Sequence, residues 1–137
     1  MFSFFEKNIK KRLFSDYLKG GGLSLNDLSP AVSRQIVDIM HRQACMAAKK
    51  SHEPTVSASK NIVSSAAWGT IYCLLGPSKL LEMDPGFQDI IEKIETELLT
   101  ADSESDAQCN IYQQVFAILL DTSHCHPEVS AIVESEQ

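Results

Sequence analysis

The amino-acid sequence predicts an all-α protein, a single compact bundle of five to six helices with a buried central helix at about residues 55–75. Three observations lead there. Apolar residues recur at spacings of three and four along most of the 137 residues, and no stretch sustains strand-type alternation. Start and stop signals (Ser29-Pro30, Gly76-Pro77, Asp84-Pro85 and three glycines at 20–22) cut the chain into pieces of helical length. The composition, 44% hydrophobic and 22% charged, supplies enough apolar surface for a core. No apolar run approaches the roughly 18 residues of a membrane span.

A first helix is expected over residues 2–19. Phe2, Phe5, Ile9, Leu13 and Tyr17 share one face, with Lys7, Lys10, Lys11 and Arg12 beside or opposite it. Gly20, Gly21 and Gly22 end this helix, because glycine lacks helical preference and tolerates positive φ. They also form a hinge that makes residues 1–19 a candidate detachable element of a single domain spanning 1–137. After a short loop containing Asn26 and Asp27, Ser29 as N-cap and Pro30 in the first turn start a second helix that reaches about Lys50. Val32, Ile36, Ile39, Met40 and Ala47 form its stripe, and His52, Glu53 and Pro54 break it.

The third helix runs from about Thr55 to Leu75. Val56, Ile62, Val63, Ala66, Ala67, Trp68, Ile71, Leu74 and Leu75 cover much of its circumference, and Ser59, Ser65 and Gly69 fill the gaps. Lys60 is its one charged residue, so it belongs in the middle of the bundle. Gly76-Pro77 stops it. Residues 78–83 read as one short turn. Asp84-Pro85 opens a fourth helix to about Thr100, with Phe87, Ile90, Ile91, Ile94 and Leu98 inward and Glu92, Glu95 and Glu97 outward. An acidic connector, 101–106, leads to a fifth helix at 106–121, with Ile111, Tyr112, Val115, Phe116 and Leu119 inward. His126-Pro127 opens a short last helix bearing Val129, Ile132 and Val133.

The net charge of −6 conceals a division. Residues 1–60 carry ten Lys/Arg against five Asp/Glu, and residues 61–137 carry two against thirteen. Such polarity allows the halves to neutralise each other, or one half to meet an oppositely charged partner. Nucleic acid is not an expected partner, since the chain is acidic overall and its basic residues lack interleaved aromatics. The amino terminus places Phe2, Phe4 and Phe5 before Lys10, Lys11 and Arg12, the reverse of a secretory signal. The expected location is therefore cytoplasmic, with the four cysteines as free thiols.

Two places carry candidate chemistry. His124, Cys125 and His126 are soft metal ligands at the end of the fifth helix, but adjacent residues rarely all reach one ion. Cys109 stands near the other end of that helix, roughly 18 Å or more away at 1.5 Å per residue. The plainer alternative is a capping His126, an exposed His124 and a packed Cys125. His41 and Cys45 form an i, i+4 pair about 140° and 180° around the second helix from Ile36. Arg34, Asp38, Arg42 and Lys49 are their expected neighbours, and a thiol among cations is a candidate reactive group. The plainer alternatives are a packed Cys45 or an inert surface thiol. The sequence contains no phosphate-binding glycine loop, nucleophile elbow or HExxH.

The expected function is therefore non-enzymatic protein–protein interaction, as an adaptor, regulator, inhibitor or secretion-associated factor. The expected surface is Phe2, Phe5, Ile9, Lys10, Lys11, Arg12 and Leu13, meeting another protein or a second copy as a homodimer. No cofactor is expected. One alternative is a thiol- or metal-dependent protein using His41/Cys45 or His124/Cys125/His126. The other is peripheral membrane binding through the aromatic and basic first helix.

Overall fold

The computed structural model describes residues 2–51, 55–99 and 110–135, with side chains at 6–47, 49, 60–99 and 110–134. Regular structure among them is helical throughout: seven α-helices and three short 3-10 turns. The expected break at 52–54, the connector at 101–106, Cys109 and the side chains of Phe2, Phe5 and Val56 lie outside the described residues. Among the described residues no helix is long and apolar enough to cross a membrane. The chain divides into two compact units, Met1–Trp68 and Gly69–Gln137.

The first unit holds α1 (Phe2–Leu18), α2 (Pro30–Ser51) and the first two-thirds of α3 (Thr55–Leu75). α1 tightens into a 3-10 turn at Lys19–Gly21 and stops at Gly22, whose φ of 76° is the left-handed value the glycine run was expected to supply. Gly22 N–H donates to Lys19 O and Leu23 N–H to Leu18 O, both at 3.0 Å, which satisfies two otherwise orphaned carbonyls. Ser29 caps α2 as expected, its Oγ accepting from Val32 N–H at 3.2 Å. Val32, Ile36, Ile39 and Met40 are buried, and Val37 and Ala44 widen the stripe.

The buried face of α1 differs from the expected one. Lys10, Phe14 and Leu18 point inward, while Ile9 is 53% exposed and Leu13 half-buried. The helix is turned so that Phe14 and Leu18, both fully buried, anchor it. Lys10 follows them because it lies one turn before Phe14, and its aliphatic stem packs like a hydrocarbon chain.

The second unit holds the end of α3, then α4 (Pro77–Met83), α5 (Gln88–Leu99), α6 (Ile111–Asp121) and α7 (Pro127–Ser135). Residues 78–83, expected as one short turn, belong to two turns of helix, Pro77–Met83, started by Pro77 and fastened by Leu80. The α5 entry follows expectation, with Asp84 Oδ1 accepting from Gly86 N–H at 2.9 Å. Asn110 caps α6 through Oδ1 and Gln113 N–H at 3.1 Å. Its side-chain amide also donates to Glu97 O at 2.7 Å, which ties the start of α6 to the end of α5.

α3 has the expected bounds, and its burial follows expectation in part: Ile62, Trp68, Leu74 and Leu75 are only half-buried. Val63, Ala66, Ala67 and every residue from Gly69 to Cys73 are buried. Gly69 lets α6 approach closely: an added Cβ would stand 3.2 Å from Tyr112 Cδ1 and 3.9 Å from Val115 Cγ1. Overpacking of this kind costs about 1–3 kcal/mol. Gly69→Leu is expected to lower the unfolding free energy by about that amount in urea titrations, whereas Lys79→Ala, at an exposed site, stays within about 0.5 kcal/mol of wild type.

Candidate functional site

In the first unit the turn of α1 brings Lys10 against α2. Lys10 Nζ stands 3.4 Å from His41 Nδ1, and His41 Nε2 stands 3.8 Å from Cys45 Sγ. An ammonium has donors only, so a charged Lys10 at Nδ1 favours the tautomer that carries its proton on Nε2, on the side of the sulfur. The arrangement is a directed chain of amine, imidazole and thiol. Lys10 is 4% exposed, His41 is half-buried and Cys45 is open to solvent. Glu6 Oε2 lies 4.0 Å from the same Nδ1, and Lys7 pairs with Asp38 at 3.2 Å between the two helices.

This electrostatic setting differs in origin from the one expected. The flanking cations Lys10 and Lys7 come from α1, whereas the expectation placed Arg34, Arg42 and Lys49 around the pair. Burial, then Lys10 and Lys7, hold the His41 pKa below 6.5, and Glu6 and Asp38 oppose the shift. Lys10 was expected on an exposed interaction surface; its burial removes it from that surface. Lys11 and Arg12 are exposed, as is Ile9. The side chains of Phe2 and Phe5 lie outside the described residues.

In the second unit the loop after α6 is held by a Schellman-type ending with Ser123, at φ 61°, in the left-handed position that favours glycine. Its bonds run from Ser123 N–H to Leu120 O at 3.2 Å and from His124 N–H to Leu119 O at 2.8 Å. The loop then meets the end of α3, where His126 N–H donates to Cys73 O at 2.7 Å. The two imidazoles of the 124–126 segment have separate local partners. His124 Nδ1 pairs with Thr122 Oγ1 at 2.8 Å, and His126 Nδ1 accepts from Glu128 N–H at 3.1 Å. Among the described residues no three His, Cys, Asp or Glu side chains are placed to hold a metal ion.

Cys125 has a different partner, one the sequence did not indicate. It acts on the thiol of Cys73, which is almost fully buried in α3, and the two thiols shift each other's pKa in opposite directions. Cys73 lowers the Cys125 pKa against the opposing effect of burial. Cys125, reinforced by burial, raises that of Cys73. Cys125 also lines an open groove of about 460 Å³ with Leu120, Pro127, Ser130, Ala131 and Glu134.

Nearby, the Tyr72 hydroxyl is buried with no hydrogen-bond partner among the described residues. Burial and the Glu95 carboxylate push its pKa up, and Glu95 itself, expected on the wet face of α5, is half-buried with a raised pKa caused first by desolvation. Glu128 accepts from Ser78 N–H at 2.8 Å, which holds its carboxyl below the usual range.

Together these features define an all-α protein with two separate thiol environments, one in each unit. Compared with known protein families, curated proteins and solved structures, the chain matches none.

The lowered His41 pKa has a sign that can be worked out. Between the folded value and 6.5 the unfolded chain binds more protons at this site, so its contribution to stability is full above 6.5 and declines as the pH falls through the folded value. NMR titration of the His41 ring is expected to give a midpoint below 6.5 that moves upward in Lys10→Met. An unchanged midpoint would show that the Lys10 charge does not act on the ring.

Proposed function

We propose that the protein is a non-enzymatic interaction module that binds another protein, or a second copy of itself, through the outer face of α1. The observation that carries this reading is Ile9, 53% exposed on a helix whose opposite side is anchored by the fully buried Phe14 and Leu18. Ile9 and Leu18 are about 180° apart around the helix, so the anchoring leaves the Ile9 side outward. Arg12, exposed, falls in helical register with Ile9. An exposed apolar side chain beside positive charge fits a partner with an apolar pocket and an acidic rim.

Pull-down and sedimentation with wild-type and Ile9→Asp chains test this directly. The substitution is expected to remove specific co-purifying protein, or the dimer, while helical circular dichroism is retained. Identical partner profiles and the same sedimentation behaviour would refute the reading.

A second reading, thiol chemistry at Cys45, is favoured by the directed contact chain from Lys10 through His41. Alkylation of Cys45 near neutral pH is then expected to slow about tenfold or more in His41→Ala, a loss of at least about 1.4 kcal/mol in barrier lowering. Equal rates in the two chains would leave Cys45 as an ordinary surface thiol.

A further inference from the structure

We propose that Cys125 and Cys73 form an oxidation site for small hydroperoxides, in which Cys125 is oxidised first and Cys73 closes an intramolecular disulfide. Geometry carries the pairing. The 2.7 Å bond from His126 N–H to Cys73 O stands one peptide unit from each cysteine. Covalent dimensions then keep the two α-carbons within roughly 7.5 Å. Disulfides need about 4.4–6.8 Å, a range that lies within this limit. The two thiols also act on each other's ionisation, as neighbouring groups do.

The division of roles follows from exposure. Cys125 lines the groove and is partly open, whereas Cys73 is 1% exposed and does not line it. A peroxide entering the groove meets the Cys125 sulfur and no other thiol among its lining residues. Cys73 favours the thiolate of Cys125, the form that attacks an O–O bond. Glu134 at the groove repels anionic disulfides such as oxidised glutathione, while a neutral hydroperoxide is admitted.

The chemistry balances in two steps. The Cys125 thiolate attacks the distal oxygen of the hydroperoxide and the O–O bond breaks. Sulfur is oxidised by two electrons to the sulfenic acid, and the leaving oxygen takes a proton to depart as water or an alcohol. The Cys73 sulfur, giving up its proton, then attacks the sulfenic sulfur; the S–S bond forms and hydroxide leaves as water. An external dithiol reverses the change.

The test uses the full chain with Cys45→Ser and Cys109→Ser, so that only the pair remains. Treatment with a slight excess of hydrogen peroxide, followed by alkylation under denaturing conditions, is expected to show loss of both alkylatable thiols together. Tryptic mapping should give one cross-linked species joining peptide 61–79 to peptide 94–137, abolished by dithiothreitol. Adding Cys73→Ser should leave Cys125 as a sulfenic acid trapped by dimedone. The proposal is overturned if Cys125 proceeds to sulfinic or sulfonic acid while Cys73 stays alkylatable, if the disulfide joins two chains, or if neither thiol reacts. Should the Cys73→Ser chain not fold, the cross-link in the parent chain still decides the matter.

Discussion

A helix buried on every side has to be satisfied on every side, and the stretch of α3 from Gly69 to Cys73 places that demand on the second unit. Each residue there meets it differently. Gly69 contributes absence, letting the Tyr112 ring come within 3.2 Å of where a Cβ would be. Ile71 contributes bulk. Tyr72 contributes a large apolar ring and sets its hydroxyl beside the Glu95 carboxylate, with no hydrogen bond of standard geometry among the described residues. Cys73 contributes a small apolar body whose thiol finds a mate in Cys125. The end of the buried stretch is thereby also the place where sulfur chemistry becomes available.

The same kind of trade sets the register of α1. Turning the helix by one residue would bury Ile9, Leu13 and Tyr17 in place of Lys10, Phe14 and Leu18. The observed choice inters two wholly apolar side chains and avoids a second buried phenol. It leaves Ile9 outside, forgoing about 1.5–3 kcal/mol, and brings Lys10 inside. The lysine is tolerated because its amine reaches His41 Nδ1 and its stem fills apolar space. A lysine placed this way also depresses the ring's affinity for a proton. Packing thus fixes the electrostatics of His41, and the contact with Cys45 follows.

Local signals in the sequence located the elements well. Ser29-Pro30, Gly76-Pro77 and Asp84-Pro85 each mark a helix start or stop, and α3 occupies the expected Thr55–Leu75. Those signals work because a cap or a proline acts on its own few residues. What remained hidden depends on tertiary choice. The rotation of α1 was not legible, since the stripes Phe2-Phe5-Ile9-Leu13 and Lys10-Phe14-Leu18 both have helical spacing, and only the surface beneath α1 selects between them. Cys73 and Cys125 stand far apart in the chain and share no pattern, so only the fold discloses their pairing. Asn110 was missed because the fifth helix was expected to begin already at about residue 106, which put Asn110 inside it.

The chemical surfaces of this protein are distributed over its two units. The α1 face and the Lys10–His41–Cys45 chain belong to residues 1–68, and the Cys73–Cys125 pair belongs to residues 69–137. A thiol alone and a thiol with a buried neighbour also differ in what oxidation can make of them. Cys45, exposed with only an imidazole in reach, can be capped or over-oxidised but has no described sulfur with which to close a ring. Cys125 has Cys73 one backbone hydrogen bond away, and forming the bridge would join the end of α3 to the loop that carries the α7 start. Joining residues 73 and 125 would shorten the unfolded chain's freedom by a loop of about fifty residues, for which chain entropy alone favours the folded state by roughly 4 kcal/mol. The energetic weight of sulfur in this protein therefore rests on where the partner lies, not on how exposed the thiol is.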